Sequence, residues 1–159
     1  MGDLLGYLLT WTCYGTWLPG DARGWVNRHR THGEKADLPQ PALAEHAHGT
    51  LDEPPLVLSD RMRFPVDQAI RTTSDQLAWD IHALQVRTNH VHVVVTAAGI
   101  APTKVMGILK VASTRALRPV SGRQRYWTAS GSMRHLRSSE SLSKAIEYVN
   151  NQDRRDGHG

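Results

Sequence analysis

A single cysteine, Cys13, stands among the 159 residues of the chain. An intramolecular disulfide is therefore excluded, and so is a zinc site built from several thiolates. There is one phenylalanine, so five tryptophans and four tyrosines must share the aromatic part of a core. No apolar run approaches the roughly 20 residues that cross a bilayer. Near the N-terminus an acid, Asp3, stands where a secretory signal would carry Lys or Arg, and no small-residue cleavage site follows. A soluble, cytoplasmic protein with no membrane partner is expected. What is present is a composition 40% hydrophobic and 21% charged, that of a folding chain, in a length suited to one domain over 1–159. Nineteen Lys and Arg against fifteen Asp and Glu leave a net charge of +4, a balance that favours an anionic partner.

Leu4 to Thr12 is apolar and aromatic and stops at the turn-prone Tyr14-Gly15, as a first strand would. From about 18 to 58 regularity fails under repeated Pro and Gly, and a segment of that length in a compact domain is usually functional. Ser59 or Asp60 then opens a helix with Met62, Val66, Ala69, Ile70 and Leu77 on one side, although Pro65 argues for a start nearer Phe64. Ile81–Arg87 and His90–Thr96 flank Thr88-Asn89 as the arms of a hairpin. Pro102 opens a second helix, with Val105, Ile108, Leu109, Ala112 and Ala116 facing inward. Ser132–Arg137 alternates as a short strand, Ser138 or Ser139 caps a last helix striped by Leu142, Ile146 and Val149, and residues 153–159 form a tail expected to fray. The order β-α-β-β-α-β-α predicts an α+β fold, a ferredoxin-like βαββαβ sandwich of one antiparallel sheet with helices on one face, plus a C-terminal helix.

The sharpest local signal is Asn89-His90-Val91-His92-Val93-Val94-Val95. On a strand, residues i and i+2 point the same way, so His90 and His92 stand side by side while Val91, Val93 and Val95 face the core. Two adjacent neutral imidazoles are half of a divalent-metal site, or else two polar residues on a solvated face. His46-Ala47-His48 has the same spacing in an irregular segment, where nothing aligns the rings, and is read as surface. On the last helix Tyr148 and Gln152 are four apart and share a face. Gln152 offers a carbonyl oxygen as a third ligand. Tyr148 offers a phenol, a nucleophile once its proton, ordinarily held to a pKa of about 10, is lost; the plainer alternative is a boundary tyrosine with a wet hydroxyl.

In this combination the chain resembles the HUH single-tyrosine transposases, and among them the REP-associated tyrosine transposases. The HVH pair is similar to their His-hydrophobic-His motif, and Glu147-Tyr148-Val149 stands at the place of their catalytic tyrosine. Further likeness lies in Thr10-Trp11-Thr12-Cys13-Tyr14-Gly15-Thr16-Trp17-Leu18-Pro19-Gly20, in Val86-Arg87-Thr88-Asn89 and in Gly131-Ser132-Met133-Arg134. Where many REP-associated members follow the tyrosine with Asn-Pro, this chain continues Asn150-Asn151-Gln152. The resemblance implies metal-dependent cleavage and strand transfer of single-stranded or hairpin DNA through a 5′-phosphotyrosine. It assigns Mg²⁺ or Mn²⁺ to His90, His92 and Gln152, the nucleophile to Tyr148, and a nucleoid-associated place in the cell. An alternative from another class is a domesticated, non-cleaving DNA-binding regulator of the same fold. DNA would call on backbone charge and stacking surfaces, for which Tyr14, Trp17, Arg23, Trp25, Arg87, Lys104, Lys110, Arg115 and Arg134 are the candidates, the basic residues from Arg87 onward being expected around the histidine pair. The apolar face of the second helix is compatible with a homodimer or a monomer.

Overall fold

A computed structural model describes residues 3–16 and 53–152. The expected loop over 18–58 therefore falls largely outside the described residues, as do the tail 153–159 and His46 and His48; residues 53–58 join no helix or strand.

Strands β1 (Gly6–Cys13), β2 (Asp80–Val86), β3 (His90–Thr96) and β4 (Trp127–Leu136) form one sheet in the order β2-β3-β1-β4, antiparallel at every pairing. Helices α1 (Asp60–Gln76), α2 (Pro102–Leu117) and α3 (Ser139–Asn150) complete the expected βαββαβα order. Thr88-Asn89 is the hairpin link, closed by the Arg87 N–H donating to the His90 carbonyl at 2.8 Å.

The sheet divides its residues by parity, as period-two side chains require. Tyr7, Leu9 and Trp11 pair with Val95, Val93 and Val91, and this face packs under α1 and α2 through Val66, Ile70, Val105 and Leu109 in the main core. On the opposite face Leu8, Thr10 and Thr12 pair with Val94, His92 and His90. There a smaller core of Leu8, Val94 and Leu136 receives Ala145 and Val149 of α3, flanked by Leu142 and Ile146. Two helices thus cover one face and the C-terminal helix lies across the other.

Four local expectations need correction. Helix α1 starts at Asp60 in spite of Pro65, which lies inside it; its ring withholds only the N–H that would meet the Arg61 carbonyl, while Val66 and Ile70 anchor the helix to the core. Leu77, expected in the buried stripe, is the C-terminal cap residue and is exposed. The inward face of α2 runs through Val105, Met106, Leu109, Ser113 and Leu117. Strand β4 begins at Trp127, five residues before the alternation at Ser132, because its first half pairs with β1 at Trp11 and Cys13 across a register shift. Gly131 permits that pairing: a Cβ there would stand 2.5 Å from the Thr10 carbonyl oxygen. Gly15, at φ +81°, turns the chain against Pro55, a conformation L side chains rarely adopt.

Cys13 is wholly buried, and burial pushes its thiol up to about 12 from an ordinary 9.0, with Arg123 opposing weakly. Below pH 9 the thiol is protonated folded or unfolded. Above it the unfolded chain ionises and the folded one does not, so stability falls as pH rises from about 9 toward 12. Urea titrations at pH 8 and 10.5 should show a larger loss for the wild type than for Cys13→Ala; equal losses would refute the burial account.

Candidate functional site

Strand β3 carries both histidines on the α3 face, and neither is solvated: His90 is 8% and His92 5% exposed. Their rings meet edge to face, with centroids 4.5 Å apart. Each Nδ1 faces a polar neighbour that orients the ring. Asn89 Oδ1 lies 2.7 Å from His90 Nδ1, and Thr10 Oγ1 lies 2.8 Å from His92 Nδ1. An amide oxygen only accepts, so Nδ1 of His90 carries the proton and Nε2 the lone pair; the threonine hydroxyl can accept from His92 in the same way. A metal-binding imidazole needs this arrangement, one nitrogen donating to an oxygen and the other a Lewis base. The pair therefore fits a divalent cation held at Nε2. Among the described residues no group of three or more His, Cys, Asp and Glu side chains could hold a metal, so within those residues a third protein ligand would be of another kind.

Tyr148 approaches from the facing helix. Ser138 and Ser141 cap α3 reciprocally, the Ser141 N–H donating to Ser138 Oγ at 3.0 Å and the Ser138 N–H to Ser141 Oγ at 3.2 Å. Ala145 and Val149 then fix the helix on the sheet, which turns Tyr148 toward β3. Its ring centroid lies 5.6 Å from that of His92 at an interplanar angle of 76°. The tyrosine remains 36% exposed. It lines, with His92 and Thr10, a cleft of about 730 Å³ between α3 and the sheet, bordered by Ser132, Arg134 and Lys144. Gln152 follows one turn beyond Tyr148, with Oε1 shielded from solvent. A phenol, two oriented imidazoles and an open cleft can support attack on an anionic ester.

The basic and aromatic candidates divide. Arg134 borders the Tyr148 cleft. Arg87 ends the hairpin beside His90. Lys104, Lys110 and Arg115 lie on α2, which packs on the other face of the sheet, so they do not surround the histidine pair as expected. Lys110 is also part of the fold, its ammonium donating to the Thr128 carbonyl at 3.0 Å while burial lowers its pKa. Tyr14 has Arg123 over its ring at 5.8 Å. Trp127 anchors the core, with Nε1 donating to Thr114 Oγ1 at 2.9 Å. Trp17, Arg23 and Trp25 lie outside the described residues. Sequence reasoning assigned no role to Thr10 or Asn89, although both stand in the segments that carry the resemblance.

Residues 55–152 match the family model described as transposase, IS200 like. Two solved structures share the fold. A REP-associated tyrosine transposase bound to a REP hairpin aligns with TM-score 0.55 at 11% identity, over 99% of this chain and 72% of its own. A candidate transposase from Deinococcus radiodurans R1 aligns with TM-score 0.54 at 18% identity, over 96% of this chain and 93% of its own. No curated protein matches the chain. Among the described residues no helix is long and apolar enough to cross a membrane.

Proposed function

Because the chain belongs to the IS200-like transposase family, we propose that it cleaves and rejoins single-stranded DNA, using Tyr148 as the nucleophile and His90, His92 and Gln152 as ligands of Mg²⁺ or Mn²⁺. The observation that carries this reading is the approach of the Tyr148 ring to His92, 5.6 Å between centroids within one chain. The substrate inferred is hairpin-bearing DNA, in line with the REP hairpin bound by the structurally similar transposase; on that substrate the protein would act at the nucleoid.

The Tyr148 oxygen attacks phosphorus in line, loses its proton as the new O–P bond forms, and displaces the 3′ oxygen, which leaves as a hydroxyl after taking up a proton. The strand is left on Tyr148 through its 5′ phosphate. The phosphodiester is exchanged rather than hydrolysed, so an incoming 3′-hydroxyl reverses the step without a nucleotide cofactor. Bound at the histidines, the cation supplies Lewis-acid stabilisation of the charge growing on the phosphate. Thr10 and Asn89 hold the two imidazoles in one direction, and the Asn89 amide oxygen selects the tautomer of His90. Val91 and Val93, fully buried in the main core, keep β3 from turning them away.

Thr10→Val and Asn89→Leu are expected to weaken Mn²⁺ binding by roughly 10–100-fold each, the usual cost of losing such a partner, while Thr10→Ser and Asn89→Asp retain most of it. Calorimetric Mn²⁺ titration of the DNA-free protein checks this apart from turnover. Unchanged affinity in both disruptive variants would show that the cation does not bind there. The reading as a whole is tested by incubation with Mn²⁺ and labelled hairpin DNA, followed by a denaturing gel on which a covalent protein–DNA band is expected.

A further inference from the structure

The cleft continues past the tyrosine along α3. Glu140, Lys144 and Tyr148 follow one another at i, i+4 spacing and all line it, so they form a single ridge of the helix. Across from that ridge β4 contributes Ser132 and Arg134. The register explains the placement: Ser132 pairs with Thr10 and Arg134 with Leu8, so both point to the α3 face of the sheet. Leu8 and Ala145 supply an apolar floor.

The lining has the character of a channel for a phosphate backbone. Among the described residues it holds two cations from opposite walls, the hydroxyls of Ser132, Ser138 and Ser141, and one acid, Glu140. Apart from His92 and Tyr148, no aromatic side chain lines it among the described residues, and stacking surfaces are what a base-holding groove requires. Lys144 stands one turn from Tyr148, about 6 Å along the helix axis at 1.5 Å per residue, a separation comparable to that of successive phosphates on an extended strand. The Lys144 side chain is 74% exposed and its ammonium faces the Glu140 carboxylate at 3.5 Å, an exposed pair worth little that a phosphate can replace.

We propose that the cleft between α3 and β4 binds the sugar–phosphate backbone of the DNA strand on one side of the scissile phosphate, with Lys144 and Arg134 as its phosphate contacts. The inference rests on Tyr148 being the nucleophile, and it adds where the adjoining strand runs and that it is held without regard to base sequence. Glu140 opposes the strand and limits its affinity.

The test measures fluorescence anisotropy of labelled hairpin oligonucleotides in a Tyr148→Phe background, so that no turnover intervenes. Three oligonucleotides are compared, one with both flanks of the cleavage point and two each trimmed of one flank. Lys144→Ala and Arg134→Ala, both at exposed positions, are expected to weaken binding of the full-length DNA by roughly tenfold each and to lower the salt slope by about 0.7 each. The loss should persist with one trimmed oligonucleotide, vanish with the other, and not depend on the flank's base sequence; Lys144→Arg should restore binding and Glu140→Gln should tighten it. Unchanged affinity and slope, or equal losses with both trimmed DNAs, would overturn the channel. Failure of the chemistry reads differently: a wild type that forms no covalent band while the Lys144 and Arg134 effects remain would remove Tyr148 as nucleophile but leave the binding face.

Discussion

Tyr148→Phe is expected to abolish the covalent protein–DNA band, a fall of at least about 10³-fold, while hairpin DNA is still retained in a gel shift. The substitution removes one oxygen and leaves the ring that stands beside His92. Because α3 is held by Ala145 and Val149 and by its serine cap, loss of the hydroxyl should not unseat the helix. Two other tyrosines are poor substitutes. Tyr126 is buried, with its hydroxyl donating to the Ser121 carbonyl at 2.6 Å, and Tyr7 is buried, donating to the Ile100 carbonyl at 2.6 Å. A band that persists in Tyr148→Phe would assign the nucleophile elsewhere.

The second large effect is expected at the imidazole pair. His90→Ala or His92→Ala should each lower cleavage by on the order of 10³-fold, by removing a ligand of the cation that stabilises the transition-state charge. Chelation by EDTA should do the same to the wild type and be reversed by Mn²⁺. DNA retention should change little, since affinity for a strand comes mostly from phosphate contacts away from the reacting centre. His92 and Tyr148 meet within one chain, which adds a further expectation. Mixing His92→Ala protein with Tyr148→Phe protein should restore no activity; restoration would mean that the tyrosine works in the site of another copy.

Much of this was legible in the sequence where two levels of pattern agree. The alternation from His90 to Thr96 gave the strand, its two faces and the pairing of the imidazoles at once, because period two admits no other reading over seven residues. Ser138 or Ser139 as a cap, followed by the apolar stripe, marked α3 and so placed Tyr148 on a helix face. What stayed hidden depends on tertiary context. Thr128 to Gly131 has weak strand character and becomes β4 because β1 offers an unpaired edge and Gly131 has no Cβ to strike Thr10. Lys110 looks like any solvated helix cation, yet its stem is half-buried and its ammonium caps a strand carbonyl. Thr10 is far from His92 along the chain, and only the β1–β3 register brings their polar atoms together. Nor does helical periodicity say which face of a sheet a helix will cover, which is why the basic residues of α2 were expected near the histidines and lie behind them.

The shared work of phenol and imidazoles is tested most directly by mapping the covalent product. Wild-type protein incubated with Mn²⁺ and a hairpin oligonucleotide, then digested and sequenced by mass spectrometry, should yield one modified peptide, with a 5′-linked nucleotide on Tyr148 and a free 3′-hydroxyl on the released strand. Cleavage that leaves every tyrosine unmodified would contradict the account, since water rather than Tyr148 would then be the attacking group.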